Sequence, residues 1–555
     1  MEVAPEELNA RRSGRAKATQ EALDAFRTPT LGDLPTSRTT GPSVIKVLLT
    51  SVVIAIVGVS LCAAPAAAAP GKVAWSTCFA KLGPYECGTV QVPLDYDAPN
   101  GAEISIALVR LRATDPSRRL GSLFLNPGGP SGSGVDYAVF AGPALYTDEV
   151  RARFDLVGFD PRGVARSAAL RCFGTPHQWG GTPFAFPTTP DEEQVWIAAD
   201  RHLADACDRR GARIADHMST ANVARDLDVL RRAVGDDKLT YAGVSYGSYL
   251  GVTYANLFPG KVRALVVDGV LDPIAWSTGR NGEAAQVPFS TRLHSDAGAQ
   301  ATLEEFFRLC DAAGSRCAFA GGAAARFAAL AAALEAHPVR VDFPDQTSIE
   351  VNYSTLIGVT LNALYNSSSW GDFAAALADL ESLAAPATLG SRLQRFMSRP
   401  AYIAPRGFPR YPNFVESFPA VACADSDNPH DYAAWSAAAA AAPGYFGPLW
   451  TWISSICAVW PHADADRYVG PFDRVTANPV LVVGTQFDPA TRYEGAVTVA
   501  GLLPHSRLLT VHGWGHTSLF LSQCADEAIA RYLVALDLPT PGTVCEQDHV
   551  PFAGD

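Results

Sequence analysis

Apolar, strand-like runs recur along this chain, each ending in turn residues. GTVQVPLDY (88–96) and EISIALVRLRAT (103–114) predict a hairpin pair. GSLFLNPGGPSGSG (121–134) is a short apolar run closing in glycines, and FDLVGFDPRG (154–163) is another short run. VRALVVDGVLDP (262–273) and NPVLVVGTQFDP (478–489) are near-continuous apolar runs, as strands buried on both faces are. SRLLTVHGWGH (506–516) is the last of them. Helical patterns lie between. In TANVARDLDVLRRAVG (220–235), Val223, Leu227 and Leu230 stand at helical spacing and Gly235 is a stop. CADEAIARYLVAL (524–536) predicts the final helix. Buried strands interleaved with helices predict an α/β fold, a mostly parallel central sheet with helices on both faces. Chemistry in such sheets gathers at the carboxyl ends of the strands.

About 200 residues between the strands at 262–273 and 478–489 have a different character. GGAAARFAALAAALEAHP and WGDFAAALADLESLAAPA are alanine-rich, and Phe373, Leu377, Leu380 and Leu383 recur at helical spacing. That spacing predicts packed helices rather than a low-complexity linker. We therefore expect residues 276–450 to be an inserted helical lid, dividing a core made of 71–275 and 451–555.

Residues 1–70 form an N-terminal leader. The first 43 residues are polar, then Lys46 precedes an apolar stretch from Val47 to Ala64, and small residues follow with A-x-A at Ala67–Ala69. This is the layout of a secretory signal peptide. Its core is short for a membrane span, which wants about 20 apolar residues; an uncleaved anchor is the alternative. The leader is long for such a signal, and translation from Val44 would remove it. Arg11-Arg12 lies too far from the apolar core to serve as a twin-arginine signal, and bulky Leu61 before Cys62 suits lipid attachment poorly.

Cysteine usage fits export. Eleven cysteines are present, and ten remain beyond the leader. An even number in an exported chain predicts disulfides. We expect sequential pairing: Cys78 with Cys87, Cys172 with Cys207, Cys310 with Cys317, Cys423 with Cys457, and Cys524 with Cys545. Buried free thiols are the alternative. No pair has the C-x-x-C spacing of a zinc or redox site, so no metal is expected.

The totals narrow the function. A chain of 555 residues with 48% hydrophobic and 18% charged residues is globular, with room for two or three domains. Net charge is −12 and there is no long Lys/Arg run, which argues against nucleic acid or an anionic membrane surface as partner. Oligomeric state is left open by the sequence.

Candidate chemistry centres on YAGVSYGSYLG (241–251), which puts Ser245 at G-x-S-x-G spacing between a predicted strand and a predicted helix. A serine hydroxyl is a weak nucleophile without a base. A tight turn exposes its oxygen and aims the next amide at the same spot, and Gly243 and Gly247 relieve the crowding. A base is offered by VHGWGH, where His516 lies just past the last strand. His512, at the strand's end, is the alternative. Glycines between the two histidines, and the absence of a glutamate after His512, exclude the helical zinc-protease pair. Asp488 ends the preceding strand and is suited to orient an imidazole. Negative charge would be received by the amides of Gly129, in NPGGPSGSG, and Tyr246.

VPLDY, LFLNPGGPSGSG, DLVGFDPRGVARS, LTYAGVSYGSYLG, YANLFPGKVRALVVDGVLDP, PVLVVGTQFDPAT, GWGHTSL and CADEAIARYLVALDLPTPGTVCEQDHVPF together resemble the prolyl iminopeptidase and tripeptidyl aminopeptidase group of exported α/β-hydrolases. The likeness runs from Val73 to Phe552. It implies an α/β-hydrolase fold, Ser245, Asp488 and His516 as a triad, a helical lid, no cofactor, and release of short peptides or single residues from peptide N-termini. Two positions depart from the group: Pro127-Gly128-Gly129-Pro130-Ser131 replaces HGGPG, and Ala165 stands where relatives often have glycine. An exopeptidase must sense a charged amino terminus, and a carboxylate would do so. Asp425 and Glu283 are the candidates, with Asp427 beside the first. Two other readings remain: a carboxylesterase on the same scaffold, and a cell-surface binding protein without turnover.

Overall fold

The computed structural model describes residues 71–553 apart from 176–177, 183–184, 343–347 and 383–412. The leader, with Val44 and Cys62, lies outside the described residues, as does Leu383. Twelve strands occur among the described residues: β1 (Ser76–Cys78), β2 (Tyr85–Pro93), β3 (Glu103–Leu111), β4 (Gly121–Asn126), β5 (Phe154–Phe159), β6 (Leu239–Val244), β7 (Val262–Asp268), β8 (Val339–Asp342), β9 (Ser348–Val351), β10 (Val480–Phe487), β11 (Ser506–Trp514) and β12 (Val544–Glu546). Ten of them make one sheet in the order β1-β2-β3-β5-β4-β6-β7-β10-β11-β12. The hairpin β2–β3 is antiparallel and β3 joins β5 antiparallel. From β5 onward every pairing in the sheet is parallel.

The unbroken apolar runs have a simple cause. Successive side chains of a strand point to opposite faces, and here both faces are buried. In β7, Leu265 and Val267 enter one core while Ala264 and Val266 enter the other; in β10, Val480 and Val482 oppose Leu481 and Val483 in the same way. The parallel order brings the carboxyl ends of β4, β6, β7, β10 and β11 to one edge.

Between β7 and β10 the described chain is mostly helical. The longer helices are Ser295–Ala313, Ala323–Ala336, Tyr353–Leu364, Trp370–Ser382, Phe414–Asp425 and Tyr432–Ala441. The alanine-rich helix Ala323–Ala336 buries Phe327, Leu330 and Leu334 on one side. Phe306 gathers Trp370 and Phe373 at ring distances of 5.4 and 5.1 Å. Phe373, Leu377 and Leu380 are all buried, as their spacing predicts. The antiparallel hairpin β8–β9 was not expected within this stretch. It lacks a long apolar run because it pairs only with itself.

Five disulfides join neighbours in sequence: Cys78–Cys87, Cys172–Cys207, Cys310–Cys317, Cys423–Cys457 and Cys524–Cys545. The sequence separations are 9, 35, 7, 34 and 21 residues. No helix among the described residues is long and apolar enough to cross a membrane.

Candidate active site

Ser245 sits at the joint between β6 and the helix Tyr246–Leu257, with φ 58° and ψ −127°. Few non-glycine residues adopt such a conformation, which costs of order 1–3 kcal/mol and persists only where its surroundings enforce it. They do. The Ser245 amide donates to the Asp268 carbonyl at 2.9 Å, and the Ser248 amide and hydroxyl donate to the Ser245 carbonyl. A Cβ at Gly243 would collide with the Gly247 carbonyl oxygen and the Tyr241 hydroxyl. One at Gly247 would lie 2.8 Å from the Asn126 carbonyl oxygen. Both glycines of the motif are therefore needed for close approach.

Asp488 follows β10 and is 1% exposed. His516 follows β11, and its Nδ1 lies 2.9 and 3.0 Å from the two Asp488 carboxylate oxygens. The carboxylate also accepts from the amides of Ala490, Thr491 and Thr517 and from the Thr491 hydroxyl, at 2.8–3.0 Å. Burial pushes the Asp488 carboxyl up, but the imidazole's charge and these hydrogen bonds outweigh it and hold the group below its ordinary value. Burial likewise pushes His516 down, and the Asp488 charge and hydrogen bond overcome it, leaving the imidazole above its ordinary value. The inserted segment reaches this pair. The His516 amide donates to the Tyr365 carbonyl at 2.9 Å, and the Tyr365 ring stands edge-on to the imidazole at 5.0 Å.

No hydrogen bond joins the Ser245 hydroxyl to His516 in this structure. What links the two is the backbone at Asp268–Gly269. Asp268 accepts the Ser245 amide, and a Cβ placed on Gly269 would stand 3.4 Å from His516 Cε1.

The glycine loop after β4 presses on the same turn. A Cβ at Gly128 would lie 2.8 Å from the Tyr246 amide nitrogen and 2.9 Å from Ser245 Cβ. The Gly128 amide is taken by Asn126 Oδ1 at 2.9 Å. The amides of Gly129 and Tyr246 have no protein acceptor among the described residues. His512 lies on β11, half exposed, and pairs with Glu546 at 2.6 Å. The geometry thus gives Asp488 to His516 rather than to His512.

The two carboxylates expected to read an amino terminus are placed differently. Asp425 is 1% exposed and accepts from the Thr220 amide and hydroxyl at 2.7 and 2.6 Å and from Trp276 Nε1 at 3.3 Å. Burial pushes its carboxyl up to about 7. The Thr220 hydroxyl also meets the Tyr246 hydroxyl, so Asp425 lies behind the Ser245 turn. Glu283 is partly exposed and lines a polar cavity of about 320 Å³ with Arg280, Arg292 and Thr491. It accepts the Arg280 amide at 2.7 Å. Asp427 is bound by Arg467 at 2.6 Å. Ala165 has φ 46°, a region that favours glycine. Its amide is held by Asn413 Oδ1 at 3.0 Å, while Asn413 Nδ2 donates to the Gly163 and Leu170 carbonyls at 2.7 and 2.8 Å.

Sequence reasoning missed Thr491, Thr517, Tyr365, Asp268 and Ser518. All but Tyr365 fall inside runs whose neighbours were singled out, so proximity in sequence was the available signal. Tyr365 had none, because it approaches from a separate segment.

Comparison with known proteins follows the same lines. Residues 121–304 match the family described as alpha/beta hydrolase fold, and residues 442–545 match the family described as TAP-like protein. The serine protease Hip1 of Mycobacterium tuberculosis is 32% identical over 497 residues, covering 83% of this chain and 87% of that protein. Carboxylesterase B of the same species is 32% identical over 494 residues, covering 85% and 89%. The tripeptidyl aminopeptidase of Streptomyces lividans is 30% identical over 508 residues, covering 88% and 89%.

Proposed function

This chain belongs to the TAP-like serine hydrolases of the α/β-hydrolase fold, and from that premise we propose that it is an exported aminopeptidase that removes short peptides or residues from peptide N-termini. His516 takes the proton of Ser245 as the serine oxygen attacks the scissile carbonyl. Asp488 keeps Nδ1–H directed at itself, so that Nε2 is the free base, and it stabilises the imidazolium that forms. The Gly129 and Tyr246 amides hold the tetrahedral oxyanion, each worth about 10²–10³ in rate. His516 then protonates the leaving amine, and water cleaves the acyl-enzyme. The observation that carries this reading is the Asp488–His516 pair, linked through the Asp268–Gly269 backbone to a serine whose own backbone is forced into a strained turn.

Export is supported by five disulfides, which form and persist in oxidising compartments. The signal peptide and the Val44 start belong to this proposal, and N-terminal sequencing of the secreted protein tests both. Residues 276–450 act in it as a lid, supported by the Tyr365 contact with His516. Glu283, on the cavity wall, serves in this reading as the carboxylate for the substrate's amino terminus.

A carboxylesterase is the second reading, favoured by the relative of that name. Comparing kcat/KM on free peptides, N-acetylated peptides and simple acyl esters decides between them. An aminopeptidase prefers free peptides strongly; equal rates on free and blocked peptides would exclude it.

A further inference from the structure

Asp268, the last residue of β7, has no part in the chemistry described above. It is 2% exposed, and its two ends do different things. Its backbone carbonyl accepts the Ser245 amide at 2.9 Å. Its carboxylate accepts the Ser518 amide at 2.9 and 3.1 Å and the Ser518 hydroxyl at 2.7 Å. Ser518 is fully buried and stands two residues after His516. Successive amides of the histidine loop are thus held by two carboxylates: Thr517 by Asp488 at 3.0 Å, Ser518 by Asp268. The next residue, Gly269, fills the gap between the elements. A Cβ there would stand 2.9 Å from Thr517 Cγ2, 3.0 Å from Thr491 Oγ1 and 3.4 Å from His516 Cε1.

We propose that Asp268 is a positioning residue for the reaction: its backbone fixes the turn of the nucleophile and its carboxylate fixes the loop of the base, so one residue sets the distance between them. The assignment rests on Ser245 and His516 being nucleophile and base. Hydrogen bonds to an ionised acceptor are stronger than neutral ones, and a buried polar group left without its partner costs about 1–3 kcal/mol. A loop held this way has little freedom to shift, and a displacement of about 1 Å at a reacting group costs about 10²-fold in rate.

The carboxylate also acts through its charge. Its titratable neighbours are Asp488 and His516, and it faces the Tyr146 phenol. His516 in turn faces Asp488, Asp268 and the Tyr365 ring. An ionised Asp268 raises the basicity of His516, in the same sense as Asp488 and more weakly. Neutralising it lowers the histidine's pKa.

Asp268→Asn tests both effects. It retains the backbone bond to Ser245 and, with its Oδ1 where Oδ2 stands, an acceptor for the Ser518 amide and hydroxyl, but removes the charge and the second acceptor oxygen. We expect kcat to fall about 10- to 100-fold with KM little changed, and the acid limb of kcat/KM to move to lower pH. A purely structural aspartate would lower stability without moving that limb. A folded variant with wild-type kcat and an unmoved limb overturns the proposal. If the variant does not fold, Ser518→Ala decides, since it removes only the hydroxyl donor: a several-fold loss in kcat at constant KM supports the proposal, and wild-type kcat overturns it. Ser245→Ala, run in parallel, separates the two levels. Full activity of that variant sinks the catalytic reading itself, whereas an inactive Ser245→Ala beside a wild-type Asp268→Asn sinks only the role of Asp268.

Discussion

His516, 14% exposed, packs against a carboxylate that holds its pKa above the ordinary 6.5. In the proposed mechanism the base is the neutral imidazole, so kcat/KM should rise with pH through an acid limb centred above 6.5. A profile flat down to pH about 4 would remove His516 from the role of base. Ser245→Ala should lower kcat by about 10⁴–10⁶-fold and abolish labelling by a fluorophosphonate. Its fold should survive. The strain at Ser245 comes from the backbone around it, so the methyl side chain meets the same φ of 58° that the serine already tolerates. A loss of structure on this conservative change would place the serine in the scaffold instead.

At the level of elements, the inserted segment shares a hydrophobic cluster with the core and is also tied to it by specific polar side chains. Asn413 immediately precedes the helix Phe414–Asp425 and is 2% exposed. Its amide group satisfies the Ala165 N–H and the carbonyls of Gly163 and Leu170 in a core loop 248, 250 and 243 residues away. The departure at Ala165 is accommodated there, because Asn413 holds the loop in its positive-φ shape. Asn413→Ala would leave the buried Ala165 N–H and Leu170 carbonyl without partners, while the Gly163 carbonyl keeps the Leu170 amide at 2.9 Å. It should lower stability by about 2–4 kcal/mol, at about 1–3 kcal/mol per abandoned group with partial relaxation. The midpoint of denaturant unfolding under non-reducing conditions measures this; an unchanged midpoint would mean that water replaces the side chain at no cost. The helical insert was legible from Phe373, Leu377 and Leu380, whose spacing marks one buried face. Its attachments were not, because Asn413 to Gly163 and Tyr365 to His516 are long-range contacts with no local pattern.

For the whole molecule, activity and stability should respond oppositely to pH. Burial pushes Asp200 and Asp425 up to about 7 and Asp268 up to about 6, from an ordinary 3.8. Between those values the folded protein keeps protons that the unfolded chain has released, so stability falls as pH rises through that window. His516 acts in the same direction: its raised pKa adds stability below 6.5 that is lost as pH rises through the folded value. Glu86, held at about 2 by Arg112 and Arg110, has its effect only below its ordinary 4.5. Tm should therefore be higher at pH 5 than at pH 8, while kcat/KM is higher at pH 8. Calorimetry across that range is the test, and a Tm that climbs from pH 5 to pH 8 would show that these carboxyls are ionised in the fold.

Some of this was settled by the chain alone. Strands buried on both faces are apolar at most positions, so their runs marked the sheet. A serine on a crowded turn needs glycines at fixed offsets, so Gly243 and Gly247 marked the elbow. Those are local demands of backbone and solvent, and local sequence records them. Tertiary structure decided the rest. It buried Asp425 behind the turn, left Glu283 on a cavity wall, gave Asp488 to His516 rather than His512, and made Asp268 the joint between two loops. Each of those depends on which strand ends lie side by side, and a side chain's charge and reach are set by neighbours that the linear order does not name.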